Sequence, residues 1–264
     1  MRKNKSSTSI SLIASLFYII MVSVNVLANA LPINGLNTGE VSDSFPNLFA
    51  PAGITFAIWG VIYFLLGIYL FFQFTDSKQI EAKNKRVMNR INLLFIISSI
   101  GNASWIFAWH YLKIGLSVFI MLIMFTSLLL IILTIDKLKL TKKEVFWLKV
   151  PFSVYFGWIN IALIANITGF LVKSKWGGFG ISENIWTIAI LIVGLLIGGM
   201  TIWKLSLRAY GLVFVWAYIG ILIKHLSPDG FNGAYPGIIV TGGISIGIFI
   251  SIIFLTYRKK RSMF

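Results

Sequence analysis

Apolar positions along this chain fall into eight long, nearly unbroken runs, not the narrow stripes of a water-soluble helix. The runs cover about residues 10–31, 52–74, 91–112, 114–135, 150–172, 184–203, 205–226 and 235–257. At about 1.5 Å of rise per residue, each can cross a hydrocarbon core of roughly 30 Å as an α-helix. The third and fourth runs are split only by Lys113, which must sit in a tight turn. The seventh contains Arg208 and Lys224, whose long side chains must reach toward opposite surfaces. The pattern predicts an all-α integral membrane protein with eight transmembrane helices, forming one polytopic domain over residues 1–264.

The polar residues between the runs supply an orientation. With the N-terminus in the cytoplasm, 19 of the 23 Lys and Arg fall on that side. They are Arg2, Lys3 and Lys5, the loop from Lys78 to Arg90, the loop from Lys137 to Lys149, Lys204, Arg208 and the tail from Arg258 to Arg261. Lys113, Lys173, Lys175 and Lys224 remain outside. This positive-inside bias predicts a multi-pass plasma-membrane protein with both termini cytoplasmic. Ala28-Asn29-Ala30 also resembles a signal-peptidase site, although the apolar run before it is longer than a usual signal segment. Pro32 to Pro51 reads as an external loop rich in Asn, Gly, Ser and Pro, too ordered in pattern for a simple linker.

Composition narrows the chemistry. The chain is 58% hydrophobic and only 12% charged, with a mean hydropathy of +0.88, so water is not its main solvent. Its net charge of +15 is dispersed among the loops, which argues for topology and against nucleic acid as a partner. The absence of Cys excludes disulfides, thiolate metal sites and Cys nucleophiles, and the two His, His110 and His225, form no ligand motif. Every carboxylate lies in a loop, leaving neither an intramembrane ion relay nor a paired acid and base.

The informative intramembrane residues are aromatic and amide. Phe56, Trp59 and Tyr63 share one helical face behind Pro51 and Gly53; Asn102, Trp105 and Trp109 share another; Tyr155, Trp158, Ala162 and Asn166 form a third stripe. Trp59 and Trp105 each lie about 10 Å below the outer end of their spans, near the level of Asn166, so the three can converge. Trp147, Trp176, Trp186 and Trp203 lie near span ends and read as interfacial belt residues. Buried indole and amide groups need partners where no water reaches, so Trp59, Trp105, Trp158, Asn102, Asn160 and Asn166 should face the bundle interior, to bind a ligand or each other. Gly194-x-x-x-Gly198 and Gly243-x-x-x-Gly247 read as helix-packing motifs, with a homodimer contact the lesser reading.

Three of these segments are similar to known signatures. Pro51-Ala-Gly-Ile-Thr-Phe56-Ala-Ile-Trp59-Gly-Val-Ile-Tyr63-Phe-Leu-Leu-Gly67 resembles the first-helix motif of the TspO/MBR family of tryptophan-rich sensory or translocator proteins. Asn102-x-x-Trp105 resembles its second-helix motif, and the run from Tyr155 to Asn166 its fourth. The resemblance covers about residues 45–205 and implies a five-helix bundle of spans two to six. Residues 1–44 would then add one helix and the external loop, and 206–264 two helices and a basic tail. Ala52 and Val154 stand where the family carries Pro, and the basic segment from Thr75 to Arg90 lacks the family's loop aromatics.

What the resemblance implies is a receptor or carrier for hydrophobic planar ligands, porphyrins, other tetrapyrroles or sterol-like molecules. Phe56, Trp59, Tyr63, Trp105, Trp109, Tyr155, Trp158 and Asn166 would line the pocket, with membrane lipid and a hydrophobic small molecule as partners. A tetrapyrrole enters here as a ligand; neither a cofactor nor a metal is implied. Alternatives are Trp-dependent porphyrin breakdown and a small-solute transporter or structural protein without a retained ligand.

Overall fold

A computed structural model describes residues 5–31, 33–75 and 77–261, with side chains over 9–31, 33–75 and 85–258. Arg2, Lys3, Pro32 and Asp76, which entered the charge and loop arguments, lie outside the described residues. In chain order the helices are α1 (Lys5–Ala30), α2 (Thr38–Asp43), α3 (Ile58–Thr75), α4 (Ser77–His110) and α5 (Ile114–Asp136). They continue with a single turn α6 (Lys142–Glu144), then α7 (Val150–Lys173), α8 (Glu183–Leu205), α9 (Arg208–Leu226) and α10 (Pro236–Arg261). Among the described residues eight helical segments are long and apolar enough to span a membrane, and they coincide with the eight predicted runs.

The breaks between helices have local causes. Leu112 takes the left-handed backbone (φ 55°), its N–H bonds the Trp109 carbonyl, and the N–H of Lys113 bonds that of Ala108. This closes α4 and turns the chain into α5 within three residues. α2 is fixed by a reciprocal cap in which Asn37 Oδ1 accepts from the Gly39 and Glu40 N–H groups while Glu40 returns a bond to the Asn37 N–H. The basic segment expected as a loop from Lys78 to Arg90 is instead helical. With no Pro or Gly there to stop it, α4 runs for 34 residues and takes that segment in.

Helices α1, α4, α5, α7 and α3 close a ring, each packed on the next, with α3 returning to α1. α8, α9 and α10 form a second group, joined to the ring chiefly where α9 crosses α7. The crossing is close because residue 157 is glycine: a Cβ there would lie 3.0 Å from Val213 and 3.1 Å from the Tyr210 carbonyl oxygen. This grouping differs from the expected 45–205 division. α1 occupies a place in the ring, and α8 packs with α9 and α10. Gly194 and Gly198 serve helix packing, against Tyr218 and against Phe214 and Phe249, whereas Gly243 and Gly247 meet no neighbouring group. Large apolar residues such as Phe64 and Phe119 face outward, as a lipid-facing surface requires.

Candidate functional site

The site is built at the end of the ring where the 31–52 loop lies. Behind Pro51, a tight 3₁₀ turn (Gly53–Ala57) leads into α3. Phe56 therefore belongs to this turn and not to the α-helical face of Trp59 and Tyr63, although its ring still packs on Trp158 (5.9 Å between centroids). Trp59 is the hub. It stacks on Tyr63 at 5.6 Å and meets Trp105 at 6.5 Å, with Tyr155 and Trp158 edge-on at 6.1 and 6.2 Å. Trp105 in turn stacks on Trp109 at 5.5 Å. Such offset and edge-to-face pairs each contribute about 0.5–1.5 kcal/mol beyond the area they bury.

Amides hold these rings in place. The Trp105 indole donates to Asn166 Oδ1 at 2.9 Å, and Asn166 Nδ2 donates to the Ser117 hydroxyl at 2.9 Å, joining α4, α7 and α5. Asn25 of α1 donates to Asn102 Oδ1 at 2.6 Å, and Asn102 Nδ2 donates to the Tyr155 hydroxyl at 3.3 Å. Each bond removes a polar group from a medium that offers no water. Two donors of the cluster are left over, the Tyr63 hydroxyl and the Trp158 indole. The Trp158 indole N–H is buried and has no acceptor.

The loop roofs this cluster and is tied down from two sides. The Trp109 indole donates to the Thr38 carbonyl at 3.2 Å, and Phe45 packs on Trp109 at 6.2 Å. His110 Nδ1 faces the Ile33 carbonyl at 3.2 Å, so it carries the proton there and Nε2 accepts from the Thr38 hydroxyl at 3.2 Å. From the second group, His225 Nε2 donates to the Leu48 carbonyl at 2.9 Å, Glu183 accepts the Leu48 N–H at 2.8 Å, and Lys224 pairs with Asp43 at 3.1 Å. The Trp216 indole donates to the Thr55 carbonyl at 2.9 Å, and the Ala52 N–H bonds the Gly220 carbonyl at 3.0 Å. Thr55 lies so close to Gly220 that any side chain at 220 would collide with it.

Two cavities share a wall. A narrow one of about 40 Å³ lies among Trp59, Trp105, Trp109, Trp158 and Asn166. It has room for roughly three waters and none for a ring system. An open cleft of about 820 Å³ lies between α1 and α3, lined by Asn25, Asn29, Phe56, Trp59, Gly60 and Tyr63, with Glu40 and Asp43 at its rim. Its volume falls in the range of small-molecule sites. Phe56 and Trp59 line both spaces.

The family model described as TSPO-like protein matches residues 11–255. The chain belongs to the TSPO-like family. Comparison with curated proteins and with solved structures returned no match. The match extends over all eight spans, α1, α9 and α10 included.

All eight residues singled out in the sequence lie at this end of the ring, but not on one surface. Trp59 and Phe56 border both cavities, Tyr63 borders the cleft, and Trp105, Trp109, Trp158 and Asn166 border the inner void. Tyr155 borders neither. It is fully buried beneath Trp59 and serves as a hydrogen-bond partner for Asn102. Asn25, Thr38 and Ser117 escaped the sequence reading, although an amide at mid-span, as in Asn25, was a usable signal. Trp147, expected at the membrane interface, is instead buried and stacked on Phe72 at 5.9 Å, because α6 and a π-helical turn (Val145–Lys149) carry it inward. Trp176 and Trp203 keep an exposed, belt-like setting.

Proposed function

We propose that this TSPO-like protein is a plasma-membrane receptor or carrier, with both termini cytoplasmic, that binds a planar hydrophobic ligand, a tetrapyrrole or a sterol-like molecule. The ligand enters the cleft between α1 and α3 and stacks on Trp59. The observation that carries this reading is that Phe56 and Trp59 line both the open cleft and the narrow aromatic cavity beside it. Rotation of these two side chains joins the spaces and brings a ligand within reach of the unpaired Trp158 N–H. The rim supplies selectivity: Glu40 disfavours ligand carboxylates, whereas Asp43 is paired with Lys224, so a neutral planar ligand should outcompete a dicarboxylate porphyrin.

The test is ligand-induced fluorescence quenching in detergent. Trp59→Ala combined with Trp105→Ala, and separately Gly60→Leu, which fills the cleft, should each weaken saturable quenching at least tenfold. Unchanged affinity in both variants sinks the assignment. A second reading, that the aromatic cluster serves packing alone, is favoured by the four ring contacts that Trp59 already makes. It predicts no saturable quenching by any planar ligand in the unmodified protein.

A further inference from the structure

At the end of the ring opposite the aromatic site, the start of α4 and the end of α5 enclose a groove of about 580 Å³. Its polar lining is cationic. Arg86 and Arg90 stand one helical turn apart on α4, and Lys137 faces them from the C-terminus of α5. Val87, Leu130, Leu133 and Leu138 form the apolar part, and among the described residues no carboxylate lines the groove. Asp136, the acid next to Lys137 in sequence, is engaged by Lys149 at 3.3 Å. Among the described residues Arg86, Arg90 and Lys137 have no ion-pair partner. Thr134 spends its hydroxyl proton on the Leu130 carbonyl at 2.6 Å, so the cations are the groove's free donors.

We propose that this groove is a binding site for one anionic phospholipid, with the headgroup phosphate between Arg86, Arg90 and Lys137 and an acyl chain laid along Leu130 and Leu133. Charge complementarity selects the anion, because three clustered cations in a membrane-facing recess repel one another until a counter-charge is present. The apolar side selects a lipid over a free phosphate. Leu130 lies about 10 Å along the helix axis from Lys137, the spacing that takes a chain from headgroup level into hydrocarbon. Arginine adds two-point contact with phosphate oxygens.

The experiment uses the full-length chain in nanodiscs of phosphatidylcholine, titrated with phosphatidylglycerol, with native mass spectrometry counting the lipids retained. One phosphatidylglycerol should be kept at least about tenfold in preference to phosphatidylcholine. The triple variant Arg86→Gln, Arg90→Gln, Lys137→Gln should lose that preference. A control with the same charge loss, Lys139→Gln, Lys173→Gln, Lys175→Gln, should retain it. Hydrogen exchange on the unmodified protein gives a readout independent of the variants' folding: phosphatidylglycerol should protect residues 86–90 and 130–138. Equal retention of the two lipids, equal loss in the control, or protection elsewhere overturns the proposal. So does displacement of the lipid by millimolar inorganic phosphate, which would mark a free-anion site.

Discussion

The five helices ringed around Trp59 and the three that follow them are held together by different chemistry. In the ring, side-chain amides and hydroxyls reach from helix to helix: Asn25 to Asn102, Trp105 to Asn166 and on to Ser117, and, nearer the far end, Tyr69 to Asn92 and Asn92 to Gln73. In α8 to α10 the polar cross-links run to backbone carbonyls, as in Tyr218 to Leu191, and glycines let rings seat against neighbouring helices. Directed bonds fix rotamers, whereas small-residue packing fixes only the distance between axes. The bonded side chains frame the cavities, whereas Phe56 and Trp59, which line both, are held by ring contacts.

That contrast can be broken experimentally. The largest effect is expected where the two groups meet. Gly220→Val drives a side chain into Thr55 and should destabilise the protein by about 3 kcal/mol or more. Thermal unfolding in detergent reads the loss, and adding Thr55→Ala should recover part of it. Gly243→Val, which projects into open space, should change stability by less than about 0.5 kcal/mol. Next comes the ring's own wiring: Asn25→Leu strands the Asn102 carbonyl and should cost about 1–2 kcal/mol. A double-mutant cycle with Asn102→Ala should return a coupling of roughly 0.6 to 1.7 kcal/mol. Zero coupling would mean that the amides merely sit side by side.

Smaller again is Trp105→Phe, which keeps the ring and removes the donor to Asn166. About 1 kcal/mol of stability should go, while planar-ligand quenching through Trp59 persists. Among the broken bonds the smallest effect belongs to Lys224→Met, which breaks an exposed pair with Asp43. It should cost at most about 1 kcal/mol, and less in high salt.

The sequence carried the spans well because each is a one-dimensional property: an apolar run long enough to cross, bounded by charge. It carried the meeting of Trp59, Trp105 and Asn166 as well, since helical spacing fixes both face and depth. It did not carry which helices would be neighbours. In the first apolar run only the scattered polar residues Ser11, Tyr18 and Asn25 mark α1 as a ring member, and their partners lie 45 to 81 residues away. Nor could spacing foresee that Phe56 would sit in a 3₁₀ turn, or that a π-helical turn would bury Trp147. Both depend on local hydrogen-bond registers that hydropathy does not encode.

The bond from the Trp216 indole to the Thr55 carbonyl joins residues 161 positions apart. On a ribosome adding about 5–20 residues per second, α9 emerges roughly 8 to 32 seconds after the turn it holds. The cleft's lead-in segment is thus translated early and clamped late, and for that interval Thr55 and the loop above it must wait without their final partners. A chain truncated before Trp216 would carry the whole aromatic signature and still lack the clamp that seats it.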